Sequence, residues 1–473
     1  NVNNGGVLTA TTIQGINNDF GAVGYKRPHR YINVNAGGRL NVTTVNLSQG
    51  GDASTVRRLT CNNGTVANNA SGNITVDSST AVYIYNNARM EASSGRTITI
   101  NGVISQTGNL VKMGQGTLTI TAASTHSGST VVSNGVLTIS GAGALTGTSS
   151  VTIESGATNN LSGTGNNQLR GPWTISGVMK VTTATANSLY GNVTLNNGLM
   201  NSTGGTPSDW GAFYCGANRT LTANGATNTI SGNGAFGIAA AQTLSLGTPL
   251  AADALTISTS LGFGASGTGG ALLKSGAGTV TLTGTNSYAG GTTVNGGKLL
   301  VNNSTASGTG TNLVQVNSSG TLGGTGIVAG AVSVAAGGTL RPGTTSSTNT
   351  FTISGTLTFA NSSTCAVRIA GATVGLHDMI KVGGSVNLGN ATLAIDSSGM
   401  GTVATESIIF LINNTGPGAI TGAFNGLPNG AGVLLNGQQW MISYNAIYAT
   451  SSHMGGNDVC LVQVELGTTY TFQ

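Results

Sequence analysis

Polar and apolar residues alternate with period two along most of this chain, in runs such as RTITI, GTLTI, GVLTI, GTVTL, GTLTF and ATLAI. Alternation of this kind puts every second side chain on one face of a strand. Gly, Asn and Ser stand between the runs, where a turn needs positive φ or a side chain that bonds its own backbone. Turn signals recur every eight to twelve residues or so, which predicts many short strands and an all-β fold. Residues 274–301, KSGAGTVTLTGTNSYAGGTTVNGGKLLV, show no apolar face at helical spacing.

That segment has an earlier copy. Residues 112–139 read KMGQGTLTITAASTHSGSTVVSNGVLTI, and a shift of about 162 residues lays Lys112 on Lys274, Gly116 on Gly278, Thr130 on Thr292 and Val132 on Val294. Internal repetition favours stacked turns, because each turn reuses one local pattern. Scarce aromatics point the same way, since a narrow solenoid fills with Val, Leu, Ile, Thr and stacked Asn, whereas a sandwich core of this size would draw on more Phe and Trp. Regular Gly and Asn corners are the third sign. The expected fold is a right-handed parallel β-helix, or β-solenoid, with a C-terminal β cap region. At about 20 to 25 residues per turn and about 4.8 Å between strands, the expectation is on the order of twenty turns and a rod of roughly 100 Å. Three stretches are expected: 1–100, an N-terminal β region of unassigned type; 101–370, the central solenoid; and 371–473, a cap or assembly region.

Composition adds location. Among 473 residues, 77 are Gly, 7 are Pro and 6% are charged, whereas about a quarter is ordinary for charge. Abundant Thr, Val and Ile separate the chain from disordered Gly-rich sequences. A surface of Thr, Ser and Asn suits a protein outside the cell. The chain opens at Asn1 without an initiating Met, which predicts a mature form after signal-peptide removal. The apolar run IIFLI at 408–412 falls far short of the roughly 20 residues a spanning helix needs, so no membrane span is expected. Cys61, Cys215, Cys365 and Cys460 each share an alternation face with apolar neighbours. They read as buried thiols, with disulfides the alternative that an oxidising location leaves open.

The residues Lys274, Gly276, Gly278, Thr279, Thr281, Gly284, Asn286, Tyr288, Gly290, Gly291, Thr292, Gly297 and Leu299 resemble the autotransporter-associated β-strand repeat of bacterial surface and secreted proteins. The earlier copy departs from that pattern at Ala122, Ser124 and His126. Downstream, SSGTLGGTGIVAGAVSVAAGGTLRPG and the closing GAFNGLPNGAGV, MISY and GGNDVCL are similar to the region C-terminal to such repeats, so the resemblance covers residues 110–140 and 271–461. It implies an extracellular or cell-surface β-solenoid of a Gram-negative-type bacterium, and no particular reaction. Similar chains continue into a membrane barrel, and this sequence stops at Gln473.

Catalytic chemistry finds few candidates. With 12 acidic residues the chain shows no Asp-Asp pair and no carboxylate cluster of the sort acid/base hydrolysis uses. A polysaccharide lyase or hydrolase on a β-helix would return as a reading if three or more charged side chains converged on one exposed face. His377, Asp378 and Lys381 in HDMIK read as an Asx-type turn opening a strand. The Gly-rich GNGAFG and GFGASG, beginning at Gly232 and Gly262, read as turns, because the dinucleotide motif requires a following helix. GGNDV at 455–459 lacks the tandem pattern of calcium-binding turns, and no Cys/His spacing suggests zinc. No cofactor and no metal are expected. The basic, aromatic YKRPHRY at 25–31 is too short, and a net charge of +5 too weak, for a nucleic-acid surface.

Charge is unevenly spread. Residues 1–100 carry eight Lys or Arg against four acids, and residues 371–473 carry Lys381 against five acids. Complementary ends steer association, and a head-to-tail contact that does not close forms a filament. The expected assembly interface is therefore Lys26, Arg27, Arg30, Arg57 and Arg58 at one end, and Asp458, Glu465, Tyr470 and Phe472 at the other, with the tail GTTYTFQ adding a strand to a neighbouring copy. The expected partner is a second copy of the chain; a surface polysaccharide or host surface is the partner if the chain is instead a monomeric surface-displayed adhesin.

Overall fold

The computed structural model describes residues 1–14, 30–46, 56–68, 72–163, 171–182, 187–203, 213–262, 269–343 and 348–465. Among them the chain is β throughout, with one 3-10 turn at Tyr448–Thr450. It divides into two units, Asn1–Thr222 with Asn228–Gly237, and Ala223–Thr227 with Ile238–Gln473.

In the first unit the alternating runs become parallel strands stacked in register. Leu118 lies between Ile98 and Leu137, and beyond Leu137 come Asn159, Met179 and Met200 on successive strands. A second stack runs Leu110, Thr130, Val151, Trp173 and Val193. A third, on its own sheet, runs Ile32, Leu59, Val82 and Ile104. Each circuit returns to the same stack after about twenty residues. These are the turns of a parallel β-solenoid, and period two decides what fills them. Thr117–Ile120, Val136–Ile139 and Val178–Val181 all bury their second and fourth residues.

The second unit repeats the construction. One stack runs Leu272, Thr292, Val314, Val332, Leu357 and Val386, and another Leu255, Val280, Leu299, Leu322, Leu340, Cys365 and Leu393. A third sheet begins as parallel strands at Ile327–Val328, Thr350–Ile353, Met379–Val382 and Ile408–Asn414. From Ile408–Asn414 onward its pairing turns antiparallel, through Asp458–Gln463, Gln438–Ala446 and Gly432–Leu435. Met379, Phe410, Ala446, Cys460 and Val462 form the core there, with the Phe410 and Tyr448 rings edge to face at 5.0 Å. The apolar IIFLI run is the strand that carries this change of direction: every residue from Ile409 to Asn414 is buried, because the strand is covered on both faces.

Asparagine departs from expectation. Asn stacks do link successive turns, as in Asn86 to Asn62 at 2.8 Å, Asn109 to Asn87 at 2.8 Å and Asn317 to Asn295 at 2.7 Å, but they stand at exposed corners and not in the interior. Water completes the remaining amide valences at a corner, whereas an interior Asn must find every partner within the protein. Asn159, enclosed between Leu137 and Met179, leaves both amide atoms without a partner.

Candidate functional site

The two repeat lysines occupy the same kind of site, one in each unit. Lys112 stands on Asn109–Met113 and Lys274 on Ala271–Ser275, each two residues beyond a buried leucine and so facing inward. Both side chains are wholly buried. Lys112 Nζ donates to the carbonyls of Met113, Gly114 and Asn134 at 2.8, 2.8 and 2.9 Å. Lys274 Nζ donates to those of Ser275, Gly276 and Gly296 at 2.9, 2.9 and 3.0 Å. An ammonium has three donors and no acceptor, so three carbonyls satisfy it completely. One belongs to the last residue of the lysine's own strand, one to the glycine that begins the turn after it, and the third to the next circuit. Each lysine thus ties one turn of the solenoid to the following one. Burial pulls both ammonium groups down to about 8 from 10.5.

The surrounding glycines make the site geometrically possible. Gly114 and Gly276 sit at φ +73° and +79°, which lets the chain turn and present its carbonyl to the lysine. At Gly278 the constraint is closeness: a Cβ would collide with the Leu250 and Asp253 carbonyl oxygens, as one at Gly116 would with those of Ser93 and Arg96. The Lys-x-Gly-x-Gly spacing therefore encodes a donor, a reversal and a close approach between backbones.

The weaker copy keeps one contact that its sequence loses on paper and gives up another. Tyr288 Oη lies 2.7 Å from Thr292 Oγ1, and His126 Nε2 lies 3.0 Å from Thr130 Oγ1. The imidazole takes the place of the phenol on the same threonine, four residues on. Burial pushes the Tyr288 phenol up and pulls His126 down to about 4. Asn286 accepts from the Leu261 amide at 2.7 Å and donates to the Gly308 carbonyl at 2.6 Å, whereas Ser124 in the earlier copy leaves its hydroxyl without a partner.

The expected assembly residues are dispersed. Lys26, Arg27, Tyr470 and Phe472 lie outside the described residues, as does the rest of the tail 466–473. Arg30 and Arg57 are register partners on adjacent strands of the first unit. Arg58 faces outward, its guanidinium carbon 4.3 Å from the Tyr31 ring centre and 5.3 Å from that of Tyr83, a cation held between aromatic rings of neighbouring turns. Glu465, in the second unit, is exposed. Asp458 is not a surface charge: it is buried, and its two carboxylate oxygens accept from the amides of Asn414 and Tyr448, both at 2.6 Å. Those bonds tie together the antiparallel strands and the 3-10 turn, which is the structural work of GGNDV.

HDMIK plays a similar part. Asp378 is fully buried and accepts from the Asn349 and Arg368 amides at 3.0 and 2.8 Å, joining two strands, while Lys381 points outward from Met379–Val382. Burial raises the Asp378 carboxyl to about 6, against the pull of those amides and of Arg341 and Arg368. Gly232, at φ +116°, ends the strand Asn228–Gly232, and the strand Phe236–Ile238 comes next, so GNGAFG is a turn between strands. All four cysteines are buried free thiols, and burial raises Cys61 and Cys215 to about 11 and Cys365 and Cys460 to about 12. They serve as small apolar side chains. Among the described residues no three His, Cys, Asp or Glu side chains group as metal ligands.

Stacked parallel turns, cross-tied by inward lysines and closely approaching glycines, define a β-solenoid scaffold. Residues 110–139 and 272–301 match the passenger-associated transport repeat family, so the chain carries two such repeats, each held by a buried lysine. The chain is also similar to the adhesin BmaC autotransporter of Brucella suis biovar 1 (strain 1330), with 37% identity over 151 residues, or 31% of this chain. It spans 4% of the length of that relative.

Proposed function

We propose that this chain is part of a cell-surface passenger of a Gram-negative bacterium, with an adhesive and non-enzymatic role. The observation that carries the reading is the inward use of the repeat. Its distinctive residues, Lys112 and Lys274 foremost, hold the solenoid together. The motif is thus scaffold, and the outward side chains are free to meet the surroundings. The relative named as an adhesin autotransporter supports the same reading. The test displays the chain on a Gram-negative host with its repeats intact. External protease should remove it from whole cells, and displaying cells should adhere to glycan- or matrix-coated surfaces above cells displaying nothing. A chain that stays protected inside intact cells, or displaying cells that adhere no better than controls, would sink the proposal.

A second reading, the end-to-end filament, rests on the excess of Lys and Arg in residues 1–100 and of acids in 371–473. Asp378 and Asp458 are spent inside the fold, which leaves Asp396, Glu406 and Glu465 against Lys381 to act at the acidic end. Under this reading, high salt slows assembly without dissolving formed fibres, and deletion of residues 467–473 leaves folded monomers. Fibres of normal length from the truncated chain would refute it.

A further inference from the structure

The outward face of the second unit carries a cationic trough that no repeat residue explains. On three neighbouring strands, Gly297–Val301, Gly320–Gly324 and Thr339–Pro342, two outward rows run side by side in register: Lys298, Thr321 and Thr339, and Leu300, Gly323 and Arg341. Between these rows lies a hollow of about 220 Å³, lined by Lys298, Leu300, Thr321, Thr339 and Arg341. Lys298 and Arg341 stand at opposite corners, two strands apart, which is about 10 Å across the sheet. Beyond Arg341 a second hollow continues the trough past Ala366 and Ala394 to Asp396.

The charges are unbalanced toward the positive. Asp396 faces Arg368 in register and has its carboxylate bonded to Ser398. Asp378, the other acid that feels Arg341, gives its oxygens to two backbone amides. The first hollow has Lys298 and Arg341 on its walls and no acid, and Arg341 Nε is buried with no hydrogen-bond partner among the described residues. What the patch offers is therefore two cations, threonine hydroxyls and one apolar leucine floor.

These features select a ligand class. Backbone N–H and C=O groups of these strands are already paired along the stack, so a peptide cannot join by strand addition and must be read by side chains alone. Cations with donors to spare recognise oxyanions. Hydroxyls match hydroxyls, and Leu300 offers a surface for the C–H face of a sugar ring. The trough is open, which suits a linear polymer. We propose that this face binds an acidic polysaccharide, with Lys298 and Arg341 each engaging one carboxylate or sulfate of the chain. Four charged side chains, Lys298, Arg341, Arg368 and Asp396, do share this face, as an enzymatic reading would require, but the lone carboxylate supplies no acid/base pair for hydrolysis.

The inference gives the adhesive reading a ligand, and it is tested on the purified full chain, so its failure leaves the cell-surface reading standing. Titration calorimetry would use oligogalacturonate and a heparin oligosaccharide as carboxylate and sulfate probes, with neutral dextran as control. Either acidic probe should bind and dextran should not. Arg341→Gln and Lys298→Gln should each weaken binding about tenfold, whereas Lys381→Gln, which removes the same charge from another sheet, should not. Log K should fall with log salt concentration with a slope of about −2, reduced to about −1 in each single variant. Thr321→Glu, placing a carboxylate in the trough, should abolish binding with an unchanged unfolding midpoint. The proposal is overturned by absence of binding at low salt, by equal binding of dextran, or by equal losses in Lys381→Gln. It is also overturned if a charge-matched oligonucleotide binds more tightly through the same residues, or if the probes are cleaved during titration.

Discussion

Replacing Lys274 by Met removes the ammonium and keeps the length of the buried stem. The Ser275 carbonyl retains the Thr248 amide at 3.1 Å, but Gly276 and Gly296 lose the donor shown for them. A buried acceptor left without a partner costs about 1–3 kcal/mol. Against that loss, Met spares the desolvation of a buried charge, a cost visible in the downward pull on the lysine. The net expectation is a local destabilisation of about 2–4 kcal/mol. It should appear where the tie is made: the Asn295 amide, which donates to the Lys274 carbonyl at 2.9 Å, and the Lys298 amide, which donates to Gly278 at 3.0 Å. At about 1.4 kcal/mol per factor of ten, hydrogen exchange at these amides should accelerate roughly 100-fold. Lys112→Met should do the same at Ser133 and Val136, which hold the equivalent bonds. Unchanged or slower exchange in both variants would refute the reasoning, because it would mean that burying the charge costs more than its three bonds return.

Gly278→Ala should destabilise the second repeat by about 3 kcal/mol or more, read as a lowered urea midpoint, because its Cβ would meet backbone oxygens that cannot swing aside; an unchanged midpoint would show that the neighbouring turns yield. His126 titrates near 4 when folded and near 6.5 when unfolded, so the unfolded chain binds more protons between those values. Its contribution to stability is complete above pH 6.5 and is lost as pH falls through about 4, and His126→Phe should be the less acid-sensitive chain; a stability difference that stays constant from pH 7 to pH 4.5 would rule this out. Asn159→Leu should raise stability by about 1–2 kcal/mol in urea unfolding, since it replaces two unpartnered polar atoms between Leu137 and Met179 with apolar ones; a loss of stability would mean that the amide has partners worth more than burial.

Alternation is a local property, and it determined the strands. GTLTI, GVLTI and GTVTL read as half-buried strands because period two leaves one face apolar, and those faces are the ones found inside. The repeat at about 162 residues determined that turns stack, since a unit that cannot bury its own face must reuse its neighbours. Sequence also marked Lys112 and Lys274 as matching positions without revealing what they do. That was settled by carbonyls about twenty residues away, Asn134 and Gly296, which approach only once the next circuit is laid down. The same holds for His126, which looked like a departure and proved to replace Tyr288, because contact with Thr130 depends on position and not on residue type. Charge was the least legible feature. Counting placed Asp458 among surface acids, yet two backbone amides from other segments enclose it, and the register that sets Lys298 and Arg341 about one hollow has no signature along the chain. A pattern along the backbone fixes which face a residue takes, whereas the partners on that face are fixed by which turns become neighbours, and only folding brings those together.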